Sequence, residues 1–260
     1  MRHFVLALAG LALVAAAPSA AATGPVDRVL APAKAGGKST RKRAEKPARP
    51  PAGPVVADGL APSPEVRRVA GWISASGDNQ GLPYIIVDKK GAQLLLYSAN
   101  GDLLAEQPVL LGIALGDLSS PGVGAKNLAE IGPAEKTTPA GRFLARFGAV
   151  GRQKVLWVDY ADSVALHPIP PTANPKEQRR QRMLSPTGDD NRITFGCINV
   201  PTAVYNKGVV PLFRKRGGYV YVLPDELALD DVFPLLRTQP VVRVEAEPVG
   251  TAATGADPVR

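Results

Sequence analysis

Cysteine is nearly absent from this chain. One thiol, Cys197, stands among 260 residues, so no disulfide can form within the chain and a Cys-x-x-Cys redox pair is excluded. Histidine is almost as scarce, at His3 and His167. One cysteine and one histidine beyond the N-terminal segment cannot build a structural zinc site, and no EF-hand spacing of carboxylates occurs, so neither metal nor cofactor is expected. Beyond residue 22 no apolar run approaches the ~20 residues that cross a bilayer, so no transmembrane segment is expected either. Aromatic residues are few, 5% of the chain. The most basic stretch has none to stack on bases, which weighs against a nucleic-acid partner.

What is present begins with an N-terminal pattern of export. Arg2 supplies a positive start, Phe4 to Ala17 an apolar stretch, and Ser19-Ala20-Ala21 or Ala20-Ala21-Ala22 a small-residue cleavage site. Residues 1–22 therefore read as a signal peptide, and the expected location is the periplasm or cell envelope. The net charge of +8 is unevenly distributed, because residues 23–58 alone carry an excess of five positive charges. That block is rich in Pro, Ala and Gly and reads as a disordered, solvated linker. Weak attraction to anionic envelope polymers is its functional alternative. The rest of the chain is close to neutral.

A mainly β domain is expected over 59–237, with its core at 84–223 and a frayed tail at 238–260. Ser63 to Gly77 reads as one helix: Ser63 caps it, Pro64 suits its first position, and Val66, Val69, Ala70 and Ile73 share a face. From Tyr84 the period becomes that of strands. YIIVD and AQLLLYS form a hairpin, and Asn100-Gly101 signals the next turn. Further strands are expected at 142–147, 155–160, 164–167 and 219–223. A long loop spans 112–137 and ends in the turn TTPAG. A helix starting at Pro201, capped by Asn199 and interrupted by Gly208 and Pro211, should pack next to the Cys197 turn. The fold class is a β-sandwich or barrel with that helix beside it.

The stretch ITFGCINVP surrounds the lone thiol. A free cysteine is often a small core hydrophobe, and this is one reading. The other is a nucleophile. Gly196 allows a tight turn whose N–H groups could face an oxyanion, a helix start would favour negative charge, and His167 could accept the thiol proton. Spacing alone leaves both open.

The cluster resembles the motif of the YkuD-type L,D-transpeptidases, in which a Ser/Thr-His-Gly-Cys-hydrophobic-Asn/Arg run follows an upstream histidine. Thr194, Gly196, Cys197, Ile198 and Asn199 match in place. Arg192 matches the basic residue two before the Ser/Thr, and His167 is the only histidine left for the upstream position. The turn at Thr138 to Gly141 and the hairpin with VLLG belong to the same resemblance. Three departures stand out. Phe195 replaces the motif histidine. His167 and Cys197 lie 30 positions apart, which leaves an enlarged loop. Pro168 follows the histidine, although its carbonyl can still hold the imidazole N–H. The enlarged loop carries Lys176, Arg179, Arg180 and Arg182; a solvated surface loop is the simpler reading, and contact with substrate carboxylates is the other.

The resemblance implies catalysis by Cys197 and His167, with support from Gly196, Pro168, Thr194 and Asn199 and substrate contacts from Arg192 and Phe195. It implies acyl transfer between peptidoglycan stem peptides of the meso-diaminopimelate type, and inhibition by carbapenem-type β-lactams. An L,D-carboxypeptidase, an enzyme of another stem-peptide bond and a non-catalytic wall-binding module remain alternatives. A thiol redox protein would need a partner's cysteine.

Overall fold

Alternate residues of the strands after Tyr84 face two different cores, and this organises the domain. The computed structural model describes residues 55–56, 61–151 and 153–238. The signal expected at 1–22, most of the linker at 23–58 and the tail after 238 lie outside the described residues. Val55–Val56, inside the expected linker, instead forms an edge strand, β1, parallel to β4 at Leu103–Pro108.

The main sheet has nine strands in the order β1-β4-β3-β2-β11-β6-β7-β8-β10. β2 (Tyr84–Asp88) and β3 (Gln93–Tyr97) form the expected hairpin, and the Asn100-Gly101 turn leads into β4. β6 (Gly141–Val150), β7 (Gln153–Asp159) and β8 (Val164–Pro168) form an antiparallel meander. β11 (Gly218–Val222) lies between β2, which it joins in parallel, and β6. β10 (Ile198–Val200) ends the sheet against β8. Two reciprocal backbone bonds of 2.9 Å between Leu110 and Asn199 tie that end to the chain leaving β4, so the sheet curls towards closure. β5 (Leu111–Gly112) and β9 (Arg192–Thr194) form a separate parallel pair beside this junction. The fold is thus mainly β, with helices few and short.

Within β2, β3 and β11 every residue is buried, because both faces are covered. Ile85, Val87, Leu94, Leu96, Val220 and Val222 enter the interior core. Tyr84, Ile86, Leu95, Tyr97, Tyr219 and Tyr221 face an outer layer. Helix α1 (Pro64–Ser76) supplies that layer with Val66, Val69, Trp72 and Ile73. Burial of each such side chain contributes about 2 kcal/mol. The caps are those expected: Ser63 accepts from Val66 N–H at 3.2 Å, and Gly77 ends the helix at φ +68°.

After Pro201 the chain forms a helical run of three parts: Thr202–Val204, a π-helical turn at Tyr205–Val209, and Val210–Phe213. Gly208 and Pro211 thus widen the helix and do not end it. Pro211 has no N–H to give the ladder, and the wider turn accommodates it. A Cβ at Gly208 would meet Leu96 Cδ2 at 2.7 Å, so only glycine lets the run lie this close to β3.

One ionic cluster fastens two loops together. Lys89 is fully buried, and its Nζ donates to Gly116 O at 2.6 Å, Asp117 Oδ1 at 2.7 Å and Thr138 O at 2.9 Å, with Asp225 Oδ2 3.2 Å away. Asp117 in turn accepts the N–H groups of Asp225, Glu226 and Leu227. Burial pushes the Asp117 carboxyl up. The Leu227 N–H, Lys89 and the other two N–H groups outweigh it and pull the pKa down to about 2.

Candidate active site

Cys197 sits at the exit of a braced turn. Gly196 adopts φ +117°, and a Cβ there would meet Thr137 O at 2.7 Å, so the turn requires glycine. The buried Thr194 hydroxyl donates to Cys197 O at 2.6 Å and accepts Gly196 N–H at 3.2 Å. From the other side, Thr138 Oγ1 donates to Gly196 O at 2.8 Å and accepts Gly112 N–H at 2.9 Å. Two threonines and the TTPAG turn therefore hold the segment that carries the thiol.

Sheet register brings the histidine beside this segment. β10 and β8 run parallel, with Ile198 opposite Leu166, Asn199 opposite His167 and Val200 opposite Pro168. Directly paired residues of neighbouring strands share a face, so Asn199 and His167 stand together, and Cys197 immediately precedes β10, two residues before Asn199. The imidazole Nδ1–H donates to Pro168 O at 2.7 Å. A carbonyl only accepts, so this bond fixes the tautomer and leaves the Nε2 lone pair available. The thiol itself points to Ser163 O, 3.8 Å away.

Both groups are held neutral. Burial pushes the Cys197 thiol up, although the Ala165 N–H and the Arg179 charge pull the other way. Burial pushes the His167 imidazole down; the bond to Pro168 opposes this and Arg179 adds to it. Cys197 nevertheless keeps a solvent-accessible edge, as does His167.

Several expected roles change in three dimensions. Asn199 does not cap a helix. It is a fully buried strand residue, bonded through its backbone to Leu110, and the helical run starts after Pro201. The expected helix therefore does not start at the residues next to the thiol. The Gly196 N–H is taken by Thr194 and is not available to an oxyanion. Arg192 points away from the thiol into the ionic cluster, where Nη2 donates to Asp225 Oδ1 at 2.6 Å and Lys89 O at 3.2 Å. That engagement is structural, because a charge this buried must be paired.

Phe195 stands at the rim, 37% exposed, with Lys136 Nζ 3.7 Å from its ring centroid. The residue given too little weight by sequence reasoning is Arg179, from the enlarged loop. Its Nη1 donates to Asn199 Oδ1 at 2.9 Å and its Nε to Glu177 Oε2 at 2.6 Å. The crowding of arginine between the two reactive residues was the available signal.

Among the described residues no group of three or more His, Cys, Asp and Glu side chains could hold a metal, and no helix is long and apolar enough to cross a membrane. The arrangement suits nucleophilic attack by a thiol with a neutral imidazole as its base.

No protein-family model matches the chain, and a search of curated proteins finds no match. Among solved structures it is similar to the catalytic domain of an Enterococcus faecium L,D-transpeptidase, with 18% identity over 54% of this chain and 96% of that one, at a TM-score of 0.32. It is also similar to the helical cell shape determining protein of Campylobacter jejuni, with 15% identity over 67% and 62% of the two chains, at a TM-score of 0.38. A third likeness is to the avibactam carbamoyl enzyme of Ldtfm, with 19% identity, 55% and 49% coverage and a TM-score of 0.34. The match spans about half the length of the first such structures.

Proposed function

We propose that this chain is an L,D-transpeptidase of the cell envelope, acting on peptidoglycan stem peptides through an acyl-enzyme on Cys197. One observation carries the reading: an imidazole whose Nδ1–H is already committed stands on β8 opposite Asn199, in the strand that the thiol immediately precedes. The motif residues Thr194, Gly196 and Asn199 support it, since each holds the turn or the strand that bears the sulfur.

In the proposed cycle the pair starts neutral, as the burial of both groups favours. As Cys197 Sγ attacks the carbonyl of a stem-peptide bond, His167 Nε2 takes the thiol proton. It then returns that proton to the departing amine, leaving a thioester. An acceptor amine next attacks the thioester, gives a proton to Nε2 and releases the thiol with a new crosslink formed. The resemblance makes a meso-diaminopimelate-type residue the acyl donor and D-alanine the leaving group. With water as acceptor the same intermediate gives a carboxypeptidase.

Because the chain has one cysteine, intact mass after incubation with a carbapenem is an unambiguous test. A single covalent adduct is expected, and it should vanish in Cys197→Ala. A folded wild-type protein that stays unmodified under prolonged exposure would overturn the reading. Separation of muropeptides after incubation then distinguishes crosslinking from hydrolysis and identifies the bond.

A further inference from the structure

The enlarged loop between His167 and Cys197 brings one cation into the site. Arg179 has only 13% of its side chain exposed and is held at two points, by Glu177 and by Asn199. Asn199 is itself fully buried and stands directly opposite His167, two residues after Cys197. Its Oδ1 is occupied by Arg179, and among the described residues its buried Nδ2 has no partner, so within them the guanidinium is the one side-chain bond that orients this amide. The charge is therefore anchored on the side chain two residues after the thiol.

We propose that Arg179 is a positioning residue that stabilises the Cys197 thiolate, with Glu177 setting how much of that charge the sulfur meets. The charged and titratable groups around the sulfur are consistent with this. On the neighbouring segments these are His167 on β8, Arg179 with Glu177 on the loop, and Asp159 and Asp162 in the turn whose Ser163 carbonyl the thiol meets, while Lys136 lies over the Phe195 ring. Arg179 is also the charge that lowers both the thiol and the imidazole. A nearby cation favours a thiolate, and in a partly desolvated site its effect is larger than in water. Glu177 opposes it, so removal of either partner should act with opposite sign.

The inference rests on Cys197 as a nucleophile but not on any wall substrate. Its test is the rate at which iodoacetamide alkylates the full-length protein from neutral to alkaline pH. In Arg179→Gln the apparent thiol pKa should rise by about one pH unit, which slows alkylation at neutral pH about tenfold. Arg179→Lys should recover part of that loss. Glu177→Gln should move the profile the other way and speed alkylation about threefold. Circular dichroism checks the fold, and should Arg179→Gln fail to fold, the direction of the Glu177→Gln shift decides. An unchanged profile in folded Arg179→Gln, or shifts of the same sign in the Arg179 and Glu177 variants, would overturn the proposal. So would a variant whose alkylation is normal and whose only defect is a raised KM for the acyl donor. Loss of carbapenem acylation with these alkylation shifts intact would instead count against the transpeptidase reading alone.

Discussion

Lys89, Asp117, Asp225 and Arg192 form one set of ionisable side chains and Cys197 and His167 another; Asp117 in the first is shifted towards its charged form, while both members of the second are shifted towards their neutral forms. In the first, opposite charges lie within 2.6 to 3.2 Å of one another, and backbone N–H groups complete the carboxylate of Asp117. Desolvation is outweighed there, and Asp117 stays ionised. In the second, neither the thiol nor the imidazole has a charged group bonded to it. Burial dominates, and both are pushed towards their neutral forms. A cluster that fastens loops benefits from permanent charge. A site that must move protons benefits from groups that can be either charged or neutral.

The strongest way to break this contrast is to remove one ion from the fastened cluster. Lys89→Met would leave Asp117 and Asp225 without their shared cation, and a loss of about 3–5 kcal/mol is expected in urea unfolding. The alkylation rate of Cys197 in the folded fraction should change much less, although the two clusters meet at Thr138, whose carbonyl accepts from Lys89 while its hydroxyl braces Gly196. Equal losses in both measurements would mean that the clusters are coupled.

Acid provides a gentler perturbation. The Asp117 carboxyl is depressed, so its contribution is present in full above its ordinary value near 4 and fades as pH falls towards about 2. Unfolding midpoints should drop across that interval, by about 2 kcal/mol for this group. In Asp117→Asn that part of the drop should be missing.

The smallest effect is expected at the rim. Lys136→Ala removes the cation over Phe195 and should cost less than about 1 kcal/mol, because the pair is partly exposed. Thermal unfolding checks the stability. The thiol pH profile should not move, which would separate rim residues from the Arg179 position.

Much of the fold was legible because it depends on neighbours. The Ser63 cap, the Gly77 stop, the hairpin from Tyr84 and the Asn100-Gly101 turn each rest on a few adjacent residues. The short strands β9 and β10 were missed. Arg192 to Thr194 and Ile198 to Val200 are too brief to show a period, and they become strands only because β5, β8 and Leu110 lie beside them. For the same reason Asn199 looked like a helix cap: strand and cap are decided by the partner, not by the asparagine. Arg192 and Arg179 were weighed by their distance from the motif along the chain, whereas their partners in space are Asp225 and Asn199.

The sequence by itself determined that one thiol and one imidazole stand beyond residue 22, and it determined the glycine turn next to that thiol. Tertiary structure alone decided which side chains the arginines meet. Arg179 reaches Asn199 across 20 residues, while Arg192 is drawn to Lys89 across 103. Charges follow the nearest partner in space, and chain position carries no information about which partner that is.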